Sequence, residues 1–456
     1  MASGAGTRRG AAARRKPDRA RRLAFDALRK VNGEGGYANL VLAELLAERD
    51  LDARDAAFAT ELLAGTCRLQ GTYDAILTAA SGRALATLQP AVLDLLRLGS
   101  HQVLSLRVPV HAAVAAMVDL AAATVGERVT GLTNAVLRRV ADRDLDGWLD
   151  RLTDGQSAAD ALALRTAHPR WIVDAFADVL PGTELVAALE ADNVNPAVTL
   201  AVRPGLAEVG ELVAAGARPT ELSPFAARWS GSPASLPAVR DGRVGVQDEG
   251  SQLVAWALSR ADAPAGPWLD LCAGPGGKSA LLAGLLGDGD GPVLAVEPSA
   301  HRAALVVSGL RAYPAGRAVV VQADGTRPPW TPDRFARVLV DAPCTGLGSL
   351  RRRPESRWRR TPDAVEELHP LQRDLLRSAL DAAVPGGVVA YVTCSPHRRE
   401  TADVVTETLA GRDDVTVLPA AALLPGVPNA AVGDFLQLWP HRHGTDAMFA
   451  AFLRVG

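Results

Sequence analysis

The chain has few cysteines for its length, with four in 456 residues. None of them stands in a C-x-x-C pair, so neither a disulfide framework nor a structural zinc site is expected. The sequence also shows no signal peptide and no long uncharged apolar run, which argues against secretion and against a membrane anchor. We therefore expect a cytosolic protein with no metal centre and no membrane partner.

Aromatic residues and lysines are scarce as well. Aromatic residues make up 4% of the chain, and three lysines stand against 46 arginines. The remaining composition, 48% apolar and 22% charged, is that of ordinary globular proteins, and the chain is too long for a single hydrophobic core. Since lysine is so rare, the position of Lys278 in a glycine-rich segment is notable.

That segment carries the strongest functional signal. Residues 269–283 run from a short apolar strand through a glycine-rich turn directly into an apolar helix. Glycines let the backbone pass close to a ligand, and the free N–H groups at the helix start favour negative charge. A triphosphate loop is not indicated, because Cys272 stands where its first glycine is required, and the dinucleotide fingerprint fits only in part, because its third glycine is Ser279. We expect a nucleotide-like ligand, with a tight turn that binds nothing as the alternative.

Three further apolar runs, each typical of a buried strand, lead to an acidic residue. The three acids are Glu297 after 293–296, Asp324 after 319–323 and Asp341 after 337–340. In an open parallel sheet the ligand lies outside the carboxyl ends of the strands, so these carboxylates should converge on one crevice. An acid at position 297 is well placed to bind both ribose hydroxyls, although any one of the three could be a solvated turn residue.

Two of the cysteines lie where chemistry is expected. Cys344 and Cys394 each follow the end of a predicted strand, and both should therefore lie at the edge of the ligand site. A single cysteine is usually a small buried apolar residue. Two on one edge of a sheet favour catalysis, whereas Cys67, in an apolar helical pattern, is interpreted as a packing residue.

Three segments together resemble the signature of a known family. They are Cys272-Ala273-Gly274-Pro275-Gly276-Gly277-Lys278, Asp341-Ala342-Pro343-Cys344 and Thr393-Cys394-Ser395. This combination is similar to that of the RNA cytosine-5 methyltransferases, which use S-adenosylmethionine. The resemblance extends back through residues 246–252, and the helical N-terminal third resembles the antitermination factor NusB, an arrangement that implies small-subunit (16S) ribosomal RNA as the substrate.

The resemblance implies a role for each motif residue. Cys394 is the nucleophile that adds to carbon 6 of cytosine, since nucleophilic catalysis splits a difficult step into easier ones, and Cys344 helps to release the product. The cofactor-binding residues are Cys272, Ala273, Gly274, Pro275, Gly276, Gly277 and Lys278, with Glu297 at the ribose, Asp324 near the adenine and Asp341 near the methionine end or the base. Asp341 is also a catalytic candidate that could polarise the cytosine or relay a proton. Lys278 is the candidate cation that favours a thiolate.

The predicted architecture is multi-domain. We expect a basic disordered tail at 1–20, an all-α NusB-like RNA-binding bundle at 21–143, and a connecting region at 144–245 with a small α/β piece that is similar to an RNA-recognition fold. An α/β class I (Rossmann-like) S-adenosylmethionine-dependent methyltransferase domain with seven mostly parallel strands should follow at 246–456. Helical apolar spacing from about residue 21 to 142 supports the bundle.

Positive charge concentrates in two places that suit RNA. Residues 1–30 contain ten Lys or Arg against two Asp, and residues 351–360 contain six Arg against one Glu. The predicted RNA-binding residues of the second cluster are Arg351, Arg352, Arg353, Arg357 and Trp358, with the tryptophan available to stack on a base. The alternative is a solvated segment whose tryptophan packs inward.

Two other functions stay open from the sequence alone. The same chemistry could act on transfer RNA or another RNA, or the chain could be a non-catalytic RNA-binding or antitermination factor that has kept a methyltransferase fold. A His-Arg-His run at 441–443 is interpreted as a surface turn rather than a metal site.

Overall fold

The computed structural model describes residues 17–456. Most of the predicted basic tail, residues 1–16, lies outside the described residues. The tail was expected to extend to residue 20, but the first helix begins at Arg19, with Asp18 as its N-cap, because the Asp18 side chain accepts a hydrogen bond from the N–H of Arg21.

The chain divides into two compact units. The first, here the helical unit, comprises residues 17–169 together with residues 353–358. The second, here the sheet unit, comprises residues 170–352 and 359–456.

The helical unit is built from amphipathic helices around one core. Its helices are α1 Arg19–Glu34, α2 Ala38–Glu48, α3 Ala53–Arg68, α4 Gln70–Ser81, α5 Pro90–Leu104, α6 Val110–Thr124, α7 Thr130–Val140, α8 Leu145–Thr153 and α9 Ala158–Arg165. In α1 the buried residues Leu23, Ala27 and Val31 lie four positions apart, a spacing that places them on one face of the helix. The unit extends past the predicted limit at 143 because α8 buries Trp148 in the same core.

The sheet unit begins with two helices and a small antiparallel sheet. The elements are α10 Arg170–Ala177, α11 Gly182–Ala191, β1 Val198–Val202, α12 Val209–Ala214, β2 Arg218–Pro219, β3 Ala226–Trp229, α13 Pro237–Arg240 and β4 Val244–Val246. The strand order is β2-β3-β1-β4, with every pair antiparallel. This sheet lies in the region for which a small α/β piece was predicted.

The large sheet and its helices follow. They are α14 Glu249–Arg260, β5 Trp268–Asp270, α15 Gly277–Leu285, β6 Val293–Val296, α16 Ala300–Leu310, β7 Ala318–Val321, β8 Phe335–Asp341, α17 Ser356–Arg359, α18 Pro362–Ala382, β9 Ala383–Thr393, α19 Ala402–Leu409, β10 Val415–Leu418, α20 Ala420–Leu423, β11 Ala431–Val432, β12 Phe435–Gln437, α21 Pro440–His443 and β13 Phe449–Val455. Residues 356–358 of α17 belong to the helical unit.

The order of this sheet is β11-β12-β13-β9-β8-β5-β6-β7, and β10 pairs with β13. Strands β5 to β9 pair in parallel, whereas β13 is antiparallel to β9. Within the described residues the sheet has nine strands rather than the predicted seven, because the short strands β10 and β11 add to its antiparallel end. The parallel strands bring their carboxyl ends to one edge, which is where a ligand site of this topology forms.

No helix among residues 17–456 is both long and apolar enough to cross a membrane.

Candidate active site

The glycine-rich segment forms the loop between β5 and α15. The loop holds the predicted cofactor-binding residues Cys272, Ala273, Gly274, Pro275 and Gly276, and Gly277 begins the helix. Gly276 has a φ angle of 108°, in the left-handed region that favours glycine. A Cβ atom added there would lie 2.9 Å from the Cα atom of Val306 on α16. The loop backbone therefore approaches α16 more closely than a larger residue would permit.

Glu297, directly after β6, holds this loop. It is only 2% exposed, and its Oε2 atom accepts a hydrogen bond from the N–H of Gly274 at 3.2 Å. Its Oε1 atom accepts from the N–H of Ser299 at 3.0 Å, and the guanidinium of Arg302 lies 3.5 Å from Oε2. A Cβ atom at Gly274 would lie 2.3 Å from Oε2, so only a glycine leaves this space open. The ribose contact of Glu297 stays a prediction.

Asp324 lies in a loop three residues past the end of β7 and is exposed. Its Oδ1 atom accepts hydrogen bonds from the N–H of Thr326 at 2.9 Å and from the Thr326 hydroxyl at 2.8 Å. These bonds hold the pKa of the Asp324 carboxyl below its usual value. Asp324 is therefore an ionised acceptor at the same edge of the sheet as Glu297, and its adenine contact stays a prediction.

Lys278 and Asp341 form an ion pair. Lys278 lies in the first turn of α15, Asp341 is the last residue of β8, and Nζ lies 2.7 Å from Oδ2. Burial opposes the charged lysine, but the Asp341 carboxylate outweighs it, so the pKa of Lys278 is raised. The lysine is therefore a fixed cation, and the Asp341 side chain is 29% exposed.

The two cysteines that follow β8 and β9 lie side by side. The Sγ atoms of Cys344 and Cys394 are 3.5 Å apart. Their hydrogen bond lowers the pKa of Cys394, an effect that burial and the Asp341 carboxylate oppose and Lys278 reinforces. The same hydrogen bond, with burial, raises the pKa of Cys344 well above its ordinary value. Of the two thiols, Cys394 is therefore the one that ionises more readily, and Cys344 is placed to donate a hydrogen bond to its thiolate.

A buried charge network that the sequence did not predict supports the Cys394 loop. Asp446, fully buried before β13, accepts hydrogen bonds from Nε of Arg351 at 3.1 Å and from Nε of Arg352 at 2.9 Å. Arg351 also binds Oδ2 of Asp248 at 2.8 Å, and burial raises the pKa of Asp248 to about 6. No local signal could have found this network, because Asp248 and Asp446 are 198 positions apart.

One glycine connects this network with the cysteine. The N–H of Gly348 donates to the carbonyl oxygen of Cys394 at 2.8 Å, and the carbonyl oxygen of Gly348 accepts from the N–H of Ala447 at 2.8 Å. A Cβ atom at Gly348 would lie 2.0 Å from the Ala447 oxygen. The loops that carry Cys344, Cys394 and Asp446 are therefore held together by backbone contacts that tolerate only glycine.

Three of the five predicted RNA-binding residues are bonded to other parts of the protein. Arg351 is 8% exposed and bound as described above, and Arg357 is fully buried. Within the helical unit, Nη1 of Arg357 donates a hydrogen bond to the carbonyl oxygen of Ala167 at 2.9 Å. The indole N–H of Trp358 donates to the carbonyl oxygen of Cys67 at 2.8 Å. The burial of Arg351 and Arg357 corrects the expectation that these two arginines contact RNA, whereas RNA contact by the half-buried Trp358 stays a prediction.

The other two predicted RNA-binding residues keep exposed surface. Arg352 has a 41% exposed side chain although it pairs with Asp446. Arg353 is exposed, and its guanidinium carbon lies 4.7 Å from the centroid of the Tyr37 ring within the helical unit. RNA contact by these two arginines stays a prediction.

The His-Arg-His run is not a free surface turn. It forms α21, where Arg442 and His441 both bind the carboxylate of Glu184, with His441 Nε2 2.9 Å from Oε2. His443 is 8% exposed and bonds to the N–H of Trp439 at 2.9 Å. The expectation of a surface turn is corrected, because His441 and Arg442 bind α11 through Glu184.

Comparison with protein families gives two matches. Residues 257–454 match the model of the 16S rRNA methyltransferase RsmB/F family, and residues 18–142 match that of the NusB family. The two matches cover the large sheet and most of the helical unit.

Full-length relatives agree with these matches. A protein of Mycobacterium tuberculosis that is named as a methyltransferase is 51% identical over 452 residues, which cover 97% of this chain and 98% of that protein. The ribosomal RNA small subunit methyltransferase B of Salmonella newport is 31% identical over 416 residues, which cover 88% of this chain and 92% of that protein.

Solved structures show the same fold. The crystal structure of PH0851 has a TM-score of 0.80 at 22% identity and covers 95% of this chain and 98% of that one. The structure of NSun6 from Pyrococcus horikoshii with SFG has a TM-score of 0.51 at 18% identity and covers 63% of this chain and 98% of that one. The predicted fold class, a NusB-like helical bundle followed by a Rossmann-like methyltransferase domain, is confirmed.

The family also confirms the prediction of an RNA methyltransferase that uses S-adenosylmethionine. The residues present fit S-adenosylmethionine, because the loop between β5 and α15 leaves open, at Gly274, a space against the Glu297 carboxylate that a Cβ atom would fill. The non-catalytic alternative is set aside. On these grounds the chain belongs to the RsmB/F family of methyltransferases with a NusB region, and it is an S-adenosylmethionine-dependent RNA methyltransferase.

Proposed function

We propose that the protein methylates carbon 5 of a cytosine in small-subunit (16S) ribosomal RNA. The reaction passes through a transient covalent bond between the sulfur of Cys394 and carbon 6 of the cytosine. The observation that carries this proposal is the pair of thiols 3.5 Å apart at the carboxyl edge of the sheet, beside the Lys278–Asp341 ion pair. The family model and the names of the full-length relatives support the ribosomal substrate.

Cys394 supplies the nucleophile. Its thiolate adds to carbon 6, and the electron pair of the C5–C6 double bond moves into the ring, so that carbon 5 becomes enamine-like. When bound, S-adenosylmethionine would supply the methyl group to carbon 5 from its sulfonium sulfur and would leave as the thioether S-adenosylhomocysteine. Lys278 stays protonated, because the Asp341 carboxylate raises its pKa. Its positive charge stabilises the Cys394 thiolate before the attack.

Cys344 completes the reaction. In the resting site the hydrogen bond with Cys394 is the largest cause of its raised pKa. Once the Cys394 sulfur is bonded to carbon 6 it no longer carries a negative charge, so Cys344 loses its proton to solvent more readily. The Cys344 thiolate then takes the proton from carbon 5, the C5–C6 double bond forms again, and the C6–S bond breaks to return the Cys394 thiolate.

Bisulfite sequencing tests the reaction and the substrate together, because 5-methylcytosine resists deamination. The purified protein is incubated with S-adenosylmethionine and either unmethylated 16S ribosomal RNA or unmethylated transfer RNA. We expect one protected cytosine in the ribosomal RNA. Protection only in transfer RNA would keep the chemistry and overturn the substrate, and methyl transfer to RNA without a protected cytosine would overturn carbon 5 as the acceptor.

A further inference from the structure

Glu400 is a fully buried carboxylate that joins the two cysteine loops. Its Oε1 atom accepts a hydrogen bond from the N–H of Thr345 at 2.7 Å, and Oε2 accepts from the hydroxyl of Ser395 at 2.6 Å. The hydroxyl of Thr345 also donates to Oε2. Thr345 directly follows Cys344 and Ser395 directly follows Cys394, so one carboxylate is bonded to both neighbours of the reacting thiols.

Further contacts fix Glu400 itself and the other side of the Cys344 loop. The side-chain amide of Gln372, on α18, donates to the carbonyl oxygen of Pro343 at 2.8 Å and to Oε1 of Glu400 at 3.2 Å. The hydroxyl of Tyr391, on β9, donates to the backbone carbonyl oxygen of Glu400 at 2.8 Å. Both residues that flank Cys344 are thus linked to this carboxylate, which is anchored by a helix and a strand.

We propose that Glu400 is a positioning residue that sets the separation of the Cys344 and Cys394 sulfur atoms by bonding to both loops. This role rests on the proposed function, in which both thiols react. Hydrogen bonds to an ionised acceptor are about twice as strong as those between neutral groups, so a carboxylate suits this junction. Glu400 need not touch the substrate, because it acts through the two loops.

Two substitutions at Glu400 distinguish an effect of its hydrogen bonds from an effect of its negative charge. Glu400→Ala removes both the hydrogen bonds and the negative charge. Glu400→Gln removes the charge but keeps the shape, since its oxygen can accept from the Thr345 N–H while its amide donates to the hydroxyls of Thr345 and Ser395. If Glu400 acted by charge alone, both variants would lower the pKa of the thiols, because each loses a nearby negative charge.

The experiment measures the pH dependence of Cys394 alkylation by iodoacetamide in the full chain without RNA, with the modified residue located by mass spectrometry. If Glu400 positions the thiols, Glu400→Ala raises the pKa of Cys394, as Cys344→Ala does, because in both variants the hydrogen bond from Cys344 is lost. Glu400→Gln keeps the wild-type profile. Lys278, Asp341 and Asp446, the other charged groups that act on Cys394, are unchanged in these variants.

Turnover gives a second measure. We expect kcat to fall about 100-fold in Glu400→Ala with KM for S-adenosylmethionine unchanged, since a misplacement of about 1 Å can cost that much. Glu400→Gln should recover most of the rate. The matched control is Glu407→Ala, which removes a carboxylate from α19 that bonds His369 at 3.0 Å and Arg373 at 2.9 Å, and which should leave both readouts unchanged.

A wild-type alkylation profile in Glu400→Ala, or a lowered pKa of Cys394 in both Glu400 variants, would overturn the proposal. Should Glu400→Ala fail to fold, Thr345→Val removes one hydroxyl bond to the carboxylate and should shift the pKa of Cys394 in the same direction by less, whereas no shift would count against the role. Because alkylation needs no RNA, it tests Glu400 even if ribosomal RNA is not the substrate.

Discussion

The helical unit and the carboxyl edge of the large sheet each contain a carboxylate paired with cations, but the two sites differ in what the carboxylate is left to do. In the helical unit Asp94 is 1% exposed and accepts hydrogen bonds from Arg29, Asn32 and Arg97. At the sheet edge, the Asp341 side chain is 29% exposed and pairs with Lys278 beside two thiols. The first carboxylate is enclosed by donors that fix α1 to α5, and the second keeps surface for a substrate.

The comparison shows that a buried or paired charge does not by itself indicate chemistry. Around Asp94 the donors converge on one acceptor and hold helices together. Around Cys394 the hydrogen bond with Cys344 and the positive charge of Lys278 instead favour the thiolate of a side chain that lies at a strand end. Breaking each site should therefore affect a different property.

The largest expected contrast comes from removing each negative charge. Asp341→Asn should lower kcat about 100-fold, because it removes the ion pair that holds the Lys278 ammonium group beside the reacting thiols. Asp94→Asn should instead lower the free energy of unfolding by about 2 kcal/mol, since it weakens the charge-assisted hydrogen bonds from Arg29 and Arg97, and should leave kcat intact below the unfolding transition. Urea denaturation and methyl-transfer assays measure the two quantities. Equal losses of activity in both folded variants would contradict the comparison.

Lys278 gives the next contrast. In Lys278→Met the pKa of Cys394 should rise, because the ammonium group lowers it in the native site. The acidic limb of the kcat profile, which requires the thiolate, should therefore move to higher pH. Lys30→Met removes a lysine that pairs with Glu44 in the helical unit and should leave the profile unchanged. An unshifted profile in Lys278→Met would remove the lysine from the account of thiolate formation.

A substitution in the glycine-rich loop should weaken the binding of S-adenosylmethionine. Gly274→Ala places a Cβ atom against the Glu297 carboxylate, and we expect KM for S-adenosylmethionine to rise about tenfold with little loss of stability. Gly182→Ala, at the start of α11, has open space around it and serves as the control. Calorimetric titration with the cofactor measures the same change directly. Unchanged affinity in Gly274→Ala would mean that the cofactor does not use this space.

The smallest effect concerns the basic cluster. Arg353→Ala should reduce the slope of log Kd for RNA against log salt concentration by about 0.8, as expected for one phosphate contact. Arg357→Met should leave that slope unchanged and lower stability instead, because its guanidinium bonds to Ala167 inside the helical unit. Salt titrations of RNA binding distinguish the two. The same slope change in both would restore Arg357 as an RNA contact.

The sequence pattern predicted correctly those site residues whose position depends only on where a strand ends. Glu297, Asp341 and Cys394 were placed correctly at strand ends, because strand periodicity and the residue that follows are adjacent in sequence. The ion pair between Lys278 and Asp341 was not predicted, because the two residues are 63 positions apart and only the order of the parallel strands brings them together.

Side-chain burial in the basic cluster could not be predicted in this way. Arg351 finds its partners 95 and 103 positions away, and Arg357 finds its partner 190 positions away. A run of arginines looks the same in sequence whether or not a distant carboxylate neutralises it. Glu400 was missed for the same reason, since its role depends on two loops that only the fold brings together.

The division of labour between the two thiols is the central claim, and trapping the covalent complex tests it most directly. Wild-type protein, Cys344→Ala and Cys394→Ala are each incubated with 16S ribosomal RNA and S-adenosylmethionine and run on a denaturing gel, with Cys67→Ala as the control. We predict a stable protein–RNA complex with Cys344→Ala, none with Cys394→Ala, and normal turnover with Cys67→Ala. Turnover by Cys394→Ala, or a stable complex in that variant, would contradict the account.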